Sequence, residues 1–187
     1  MPTLPSLLRL LAILVCLVSA FNIRAAAAAA VGKVTQVQNQ AQVGGKTAVV
    51  GTPVYLNDRL RTGAKARLKI TFSDQSELTL GENANVVVDH FVYNPSKSKG
   101  EVVLSATQGA LRFAGGKIEN MQHKKVLVKT PSAALAVRGT HFWAGPIDGQ
   151  YGVLLLTGKL NVSNKGGAVT LSRPGQGTDI PYRRRRH

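Results

Sequence analysis

From Val31 onward the chain alternates. Val31-Gly32-Lys33-Val34-Thr35-Gln36-Val37 sets apolar against polar residues at period two, and Arg67-Leu68-Lys69-Ile70-Thr71-Phe72 places Leu68, Ile70 and Phe72 on one face. Glu77-Leu78-Thr79-Leu80 repeats the pattern. The intervening Ser73-Asp74-Gln75-Ser76 has turn composition, so residues 67–80 read as a hairpin. Further strands are expected over 85–93, 101–106, 109–114, 125–129, 134–137, 141–144, 151–156, 159–162 and 168–171. Gly44-Gly45, Gly115-Gly116, Asp148-Gly149 and Asn164-Lys165-Gly166-Gly167 punctuate them, the last marking a second hairpin. No amphipathic helix is expected after Ala30. About a dozen short strands at this spacing predict an all-β chain, a sandwich or a solenoid-like β architecture. A faint repeat, Gly109-Ala110-Leu111-Arg112-Phe113 against Gly158-Lys159-Leu160-Asn161-Val162, fits stacked turn-and-strand units.

One stretch breaks the alternation in a distinctive way. Thr130-Pro131-Ser132-Ala133-Ala134-Leu135-Ala136-Val137 reads as a buried strand, and Arg138-Gly139-Thr140 then interrupts it before His141-Phe142. Gly139 suits a positive φ or a close backbone approach. Arg138 beside it suits a planar fork onto a carboxylate, with Asp58 a candidate partner inside the domain. On that reading Arg138→Ala abolishes folding. The alternative is an exposed Arg138 that reads an anionic ligand. His141 is expected as an outward polar position on a strand.

The first thirty residues read differently. Arg9 precedes a short apolar run, Leu10 to Phe21, and small residues follow from Ala25 to Ala30. This is the pattern of a secretory signal peptide, with cleavage between about Ala26 and Ala30. An uncleaved anchor is the alternative. Cys16, the one cysteine, lies within the apolar run behind Val15, which is not the small residue that lipidation requires. The mature chain then has no disulfide framework and no thiol chemistry. The expected organisation is a signal peptide over 1–30, a β domain over 31–172 and a basic, disordered tail over 173–187.

Charge narrows the partners. The chain carries 24 basic and 9 acidic residues, a net charge of +15. Arg9 and Arg24 lie in the leader, and Arg183, Arg184, Arg185 and Arg186 lie in the tail. The body keeps a net +9. Such a surface is drawn to anionic polymers, and the tail to anionic membrane surfaces through weak, salt-sensitive contacts. Aromatics make up 5% of residues, too few for the stacking platforms of single-strand nucleic-acid binders, so no specific nucleic acid is expected.

Catalytic chemistry finds little footing. Asp58 and Asp74 are the carboxylates most readily imagined as an acid–base pair, yet both read as turn residues. His90, His123, His141 and His187 show no metal-ligand spacing. No nucleophile elbow and no phosphate-binding glycine loop is present. The expectation is a protein that is not an enzyme, with no metal and no cofactor.

Three segments together resemble the FecR domain family of exported bacterial proteins. The first runs from Gly51 to Gly63 and contains Asp58, Thr62 and Gly63. The second is the strand-turn-strand from Ala66 to Leu80. The third runs from Lys129-Thr130-Pro131 through Arg138-Gly139-Thr140 to Phe142, with the Gly158-Lys159-Leu160 strand after it. The resemblance covers about residues 31–165 and implies an all-β exported domain. In iron-uptake transducers of this family, the domain relays a signal from an outer-membrane receptor to a sigma factor. With a leader in front and sixteen residues after Leu171, the sigma-binding and receptor-docking segments are not expected here. What the resemblance carries over is a periplasmic or secreted module for binding or signalling scaffolding. Its expected partners are an envelope protein or an anionic envelope polymer. A basic glycan- or nucleic-acid-binding protein of the envelope is the alternative. Thr130, Pro131, Arg138, Gly139, Thr140, Asp58, Thr62 and Gly63 are the expected structural motif.

Overall fold

A computed structural model describes residues 28–180. The signal-peptide reading of residues 1–27 and the arginine tail, 183–186, lie outside the described residues. The described chain is nearly all β. Its strands are β1 (Gly32–Gln38), β2 (Ala41–Val43), β3 (Lys46–Thr47), β4 (Pro53–Val54), β5 (Arg59–Thr62), β6 (Arg67–Phe72), β7 (Glu77–Leu80), β8 (Asn85–Asn94), β9 (Lys99–Gln108), β10 (Leu111–Ala114), β11 (His123–Lys129), β12 (Ala134–Ile147), β13 (Gln150–Asn164), β14 (Gly167–Leu171) and β15 (Gly177–Ile180). Short 3-10 turns at Pro95–Lys97 and Lys117–Asn120 are the helical pieces.

All fifteen strands join one continuous sheet that curls back on itself. The long hairpin β12–β13 makes the curl possible. The first half of β12 pairs with β11 and the second half with β10, while β13 runs along its other edge throughout. β14 extends one half of β13 and β15 the other. Two layers therefore share one bent hairpin. One layer runs β3-β2-β5-β8-β9-β11 and the other β10-β7-β6-β1-β4. Between β9 and β11 the chain crosses to the opposite layer to lay down β10 and then returns. That detour accounts for β9 and β11 being parallel while the other pairs are antiparallel.

Alternation fills the space between the layers. Leu68, Ile70, Phe72, Leu78, Leu80, Leu111, Phe113 and Phe142 from one layer form a single buried cluster with Val86, Val88, Leu104, Val128 and Leu135 from the other. Phe72 stacks on Phe91 across the gap, ring centres 5.4 Å apart. Ile118, on the 3-10 turn, is fully buried and closes one end of this core.

The two expected hairpins are present, at β6–β7 and β13–β14. Two expectations need correction. Residues 134–137 with 141–144, and 151–156 with 159–162, are two long strands, not four short ones. The glycines that look like breaks are bends within them. The domain also continues past residue 172: Gly177–Ile180 pair with β13 as β15, and Ile180 is buried. Gln176 turns the chain there. Its side-chain oxygen accepts from the amides of Ser172 and Arg173, and its carbonyl accepts from Leu155 N.

Candidate functional site

The bend in β12 is the place the sequence marks out. Two residues, Gly139 and Thr140, face the single residue Gly158, and the register slips again before Phe142. Such bulges bend a strand and let it pass from one layer to the next. Gly139 has φ +63° and Gly158 φ +86°. Thr140, fully buried, ties the two strands together. Its hydroxyl has Lys159 O at 2.5 Å and Arg138 O at 2.9 Å as acceptors for its proton, and accepts from Arg138 N and Lys159 N, each at 3.2 Å. Gly139 N donates to Glu119 Oε2 at 2.6 Å. Glu119 itself is buried, and Lys124 Nζ donates to its carbonyl.

Arg138 does not play the part foreseen for its side chain. It is exposed, and no ion pair among the described residues includes it or Asp58. Its backbone joins the bend, whereas its guanidinium points away from the roles of a core anchor. The physical reason is parity: Val137 faces inward, so residue 138 on the same strand faces out. Asp58 caps its own turn, accepting from Tyr55 N at 2.8 Å. Thr62 is buried and links β5 to the loop ahead of β8, donating to Gly81 O and accepting from Ala84 N. Gly63 N donates to Gln40 O, holding the same corner. Thr130 closes the turn over exposed Pro131 by accepting from Ala133 N and donating to Ala133 O. Asp74 is buried in the β6–β7 turn, bound by Ser76 Oγ at 2.6 Å. Asp58 and Asp74 thus serve different turns and are not brought together. Among the described residues no cluster of three or more His, Cys, Asp or Glu is placed to hold a metal ion.

The cation-rich surface lies elsewhere, on the outer face of the second layer. Register places Gln36 beside Lys69, Lys69 beside Thr79, Thr79 beside Arg112, and Arg112 beside Trp143. These residues form one row across five strands, and Arg67 stands next to it on β6. A groove of about 610 Å³ runs over this face, lined by Lys65, Arg67, Thr79, Glu82, Arg112 and Trp143. A smaller one of about 220 Å³ shares Arg67 and Arg112 and adds Lys69 and Glu77. Glu77 neutralises Lys69 at 2.8 Å, but Arg67 and Arg112 have no carboxylate partner among the described residues. Trp143 is half-buried. Its indole leans over Gly145, where a Cβ would lie 2.9 Å from Cζ2. A bare glycine two residues along the strand thus gives the ring its seat. His141 lies on the same face, as expected, one row from Trp143.

Sequence reasoning missed this groove. Each member is visible as an outward position: Arg67 and Lys69 alternate with Leu68 and Ile70, Arg112 sits between Leu111 and Phe113, and Trp143 follows Phe142. What joins them is strand register, and no local pattern carries that.

The other layer bears a compensated face. Glu101 meets Lys125 at 3.0 Å and His90 at 3.4 Å, and Lys129 meets Asp89 at 3.5 Å. The hydrogen bond from Lys125 holds the Glu101 carboxyl below its ordinary value of 4.5, with the charges of Lys125, His90 and Lys99 adding to the effect against partial desolvation. A lowered folded-state value contributes stability above that ordinary value and loses it as pH falls below it. Lys125→Ala is therefore expected to flatten the acid limb of a urea-denaturation series by up to about 1 kcal/mol, since the pair is at the surface. A variant with the parent's full pH slope would remove Lys125 as the cause.

Comparison with known proteins agrees with this architecture. The model of the FecR protein family matches residues 58–161, more than half of the chain. The chain belongs to the FecR family. The matched span runs from the Asp58 turn through the bent β12–β13 hairpin. Two crystal structures of a candidate anti-sigma factor from Parabacteroides distasonis ATCC 8503 have a similar fold, at 16% identity and with TM-scores of 0.51 and 0.48. In each case 66% of this chain is covered and 59% of the other, so the likeness spans less than two thirds of that protein. No curated protein matches the sequence.

Proposed function

We propose that this FecR-domain protein is an exported, non-enzymatic binding or signalling-scaffold module of the bacterial cell envelope, and that the groove beside Trp143 is where it meets an anionic partner. The observation that carries the reading is the pair of guanidinium groups, Arg67 and Arg112, that line this sheet face with no ion pair among the described residues. Export rests on the leader pattern of residues 1–30. A non-catalytic role is supported by where the carboxylates go. Asp58 and Asp74 are bound in turns, Glu119 supports the β12 bend, and Asp89 and Glu101 are paired with lysines. The candidate anti-sigma factor with a similar fold makes relay to a partner protein a coherent use of the same scaffold. The arginine tail adds a weak electrostatic tether to an anionic membrane surface.

The test is a salt titration of binding to heparin, used as a generic polyanion. Affinity is expected to fall as salt rises, in proportion to the number of contacts replaced by counter-ions. The double variant Arg67→Ala/Arg112→Ala should bind about tenfold more weakly, roughly 1.4 kcal/mol. Lys97→Ala/Lys165→Ala removes the same charge from distant exposed positions and should change little. Equal losses in both variants would mean diffuse attraction to the whole surface, not a site. Removing residues 183–187 separates the tail's share.

A further inference from the structure

We infer that the groove takes an acidic polysaccharide, with a sugar ring lying on Trp143 and its carboxylate groups on Arg112 and Arg67. This rests on the groove being the binding surface and names the ligand's chemistry. Three features on this face converge. Trp143 is held against the backbone at Gly145, so its position is set before a ligand arrives. A flat indole supplies an apolar platform suited to the C–H face of a pyranose ring. Arg112 is its immediate cross-strand neighbour, and Arg67 lines the same groove. Two guanidinium forks beside one aromatic platform match a chain that presents carboxylates at intervals between apolar ring faces.

The remaining lining suits hydroxyl groups. Gln38 and Thr79 line the groove and offer amide and hydroxyl partners. Glu82 lines the larger groove and Glu77 the smaller, and both oppose a uniformly dense polyanion such as polyphosphate. Single-stranded nucleic acid fits less well, because successive bases call for successive aromatic platforms and, among the described residues, Trp143 is the one aromatic residue lining either groove. The groove volume, about 610 Å³, holds a short stretch of sugars, so the site reads a segment of a longer chain.

Trp143 is also the single tryptophan of the protein, so its emission reports binding directly. The full-length protein is titrated with an oligogalacturonate, its methyl ester, polyphosphate and oligo-dT, followed by Trp emission and calorimetry. The oligogalacturonate should shift the emission and bind at least tenfold more tightly than the methyl ester. Arg112→Gln should lose about tenfold for the oligogalacturonate. Trp143→Leu, which keeps apolar cover over Gly145, should lose about tenfold for the oligogalacturonate by calorimetry and stay within twofold for polyphosphate. Polyphosphate or oligo-dT binding as tightly as the sugar acid, or sugar-acid binding indifferent to Trp143→Leu, overturns the glycan assignment while leaving the groove in place. Binding of every polyanion unchanged by Arg112→Gln overturns the groove itself.

Discussion

Gly158→Ala is expected to cost about 3–5 kcal/mol, a large part of the roughly 5–15 kcal/mol that holds a domain of this kind together. Two effects add. Residue 158 has φ +86°, which costs a side-chain-bearing residue about 1–2 kcal/mol. Its new Cβ would also overlap the Gly139 carbonyl oxygen and lie 2.7 Å from the carbonyl carbon and 2.8 Å from Thr140 Cα. Those are backbone atoms in a segment held by the hydrogen bonds from Gly139 N to Glu119 and from Gly115 N to Thr140 O, so relief requires the strands to separate. Gly139→Ala is the control. It has φ +63° and nothing within 4 Å of the added Cβ, so only the conformational cost of about 1–2 kcal/mol applies. Urea denaturation followed by far-UV circular dichroism should rank the two clearly. Equal midpoints for both variants would mean that the bend is not a close backbone crossing.

That crossing also explains what could be read from the chain and what could not. The β6–β7 hairpin was legible because Leu68, Ile70 and Phe72 alternate with polar residues around a Ser73–Ser76 turn. The β13–β14 hairpin was legible for the same reason, with Asn164 and Gly167 closing it. Local periodicity and local turn chemistry suffice in both cases. The long strands were not legible, because Gly139 and Gly158 read as ends when each is considered alone. Only their apposition turns them into one bend. The same holds for Glu119, which supports Gly139 from twenty residues away. The groove is a stricter case still: Lys69, Arg112 and Trp143 come from three strands and meet only through register. Alternation specifies which face a residue takes, but not which residue stands beside it.

Thr140→Val is expected to destabilise the protein by about 2–4 kcal/mol with no change in shape. The hydroxyl has one proton and two lone pairs. The proton lies within reach of two acceptors, Lys159 O and Arg138 O, and the lone pairs take Arg138 N and Lys159 N. Valine fills the same volume and leaves the N–H and C=O groups of Arg138 and Lys159 without that partner at a buried bend. Each orphaned buried group costs about 1–3 kcal/mol, partly relieved where Lys159 and Arg138 reach solvent. Thr140→Ser keeps the hydroxyl and should lose less than half as much. Arg138→Ala, by contrast, should fold with a stability within about 0.5 kcal/mol of the parent, because an exposed side chain without an ion pair is removed. The order Thr140→Val, Thr140→Ser, Arg138→Ala in urea midpoints would locate the motif's structural role in its buried hydroxyl. An Arg138→Ala variant less stable than Thr140→Val would return that role to the guanidinium and require a carboxylate partner for it. The two results also bear on the ligand. Arg138 lines neither groove, so polyanion binding at the Trp143 site should be indifferent to its loss.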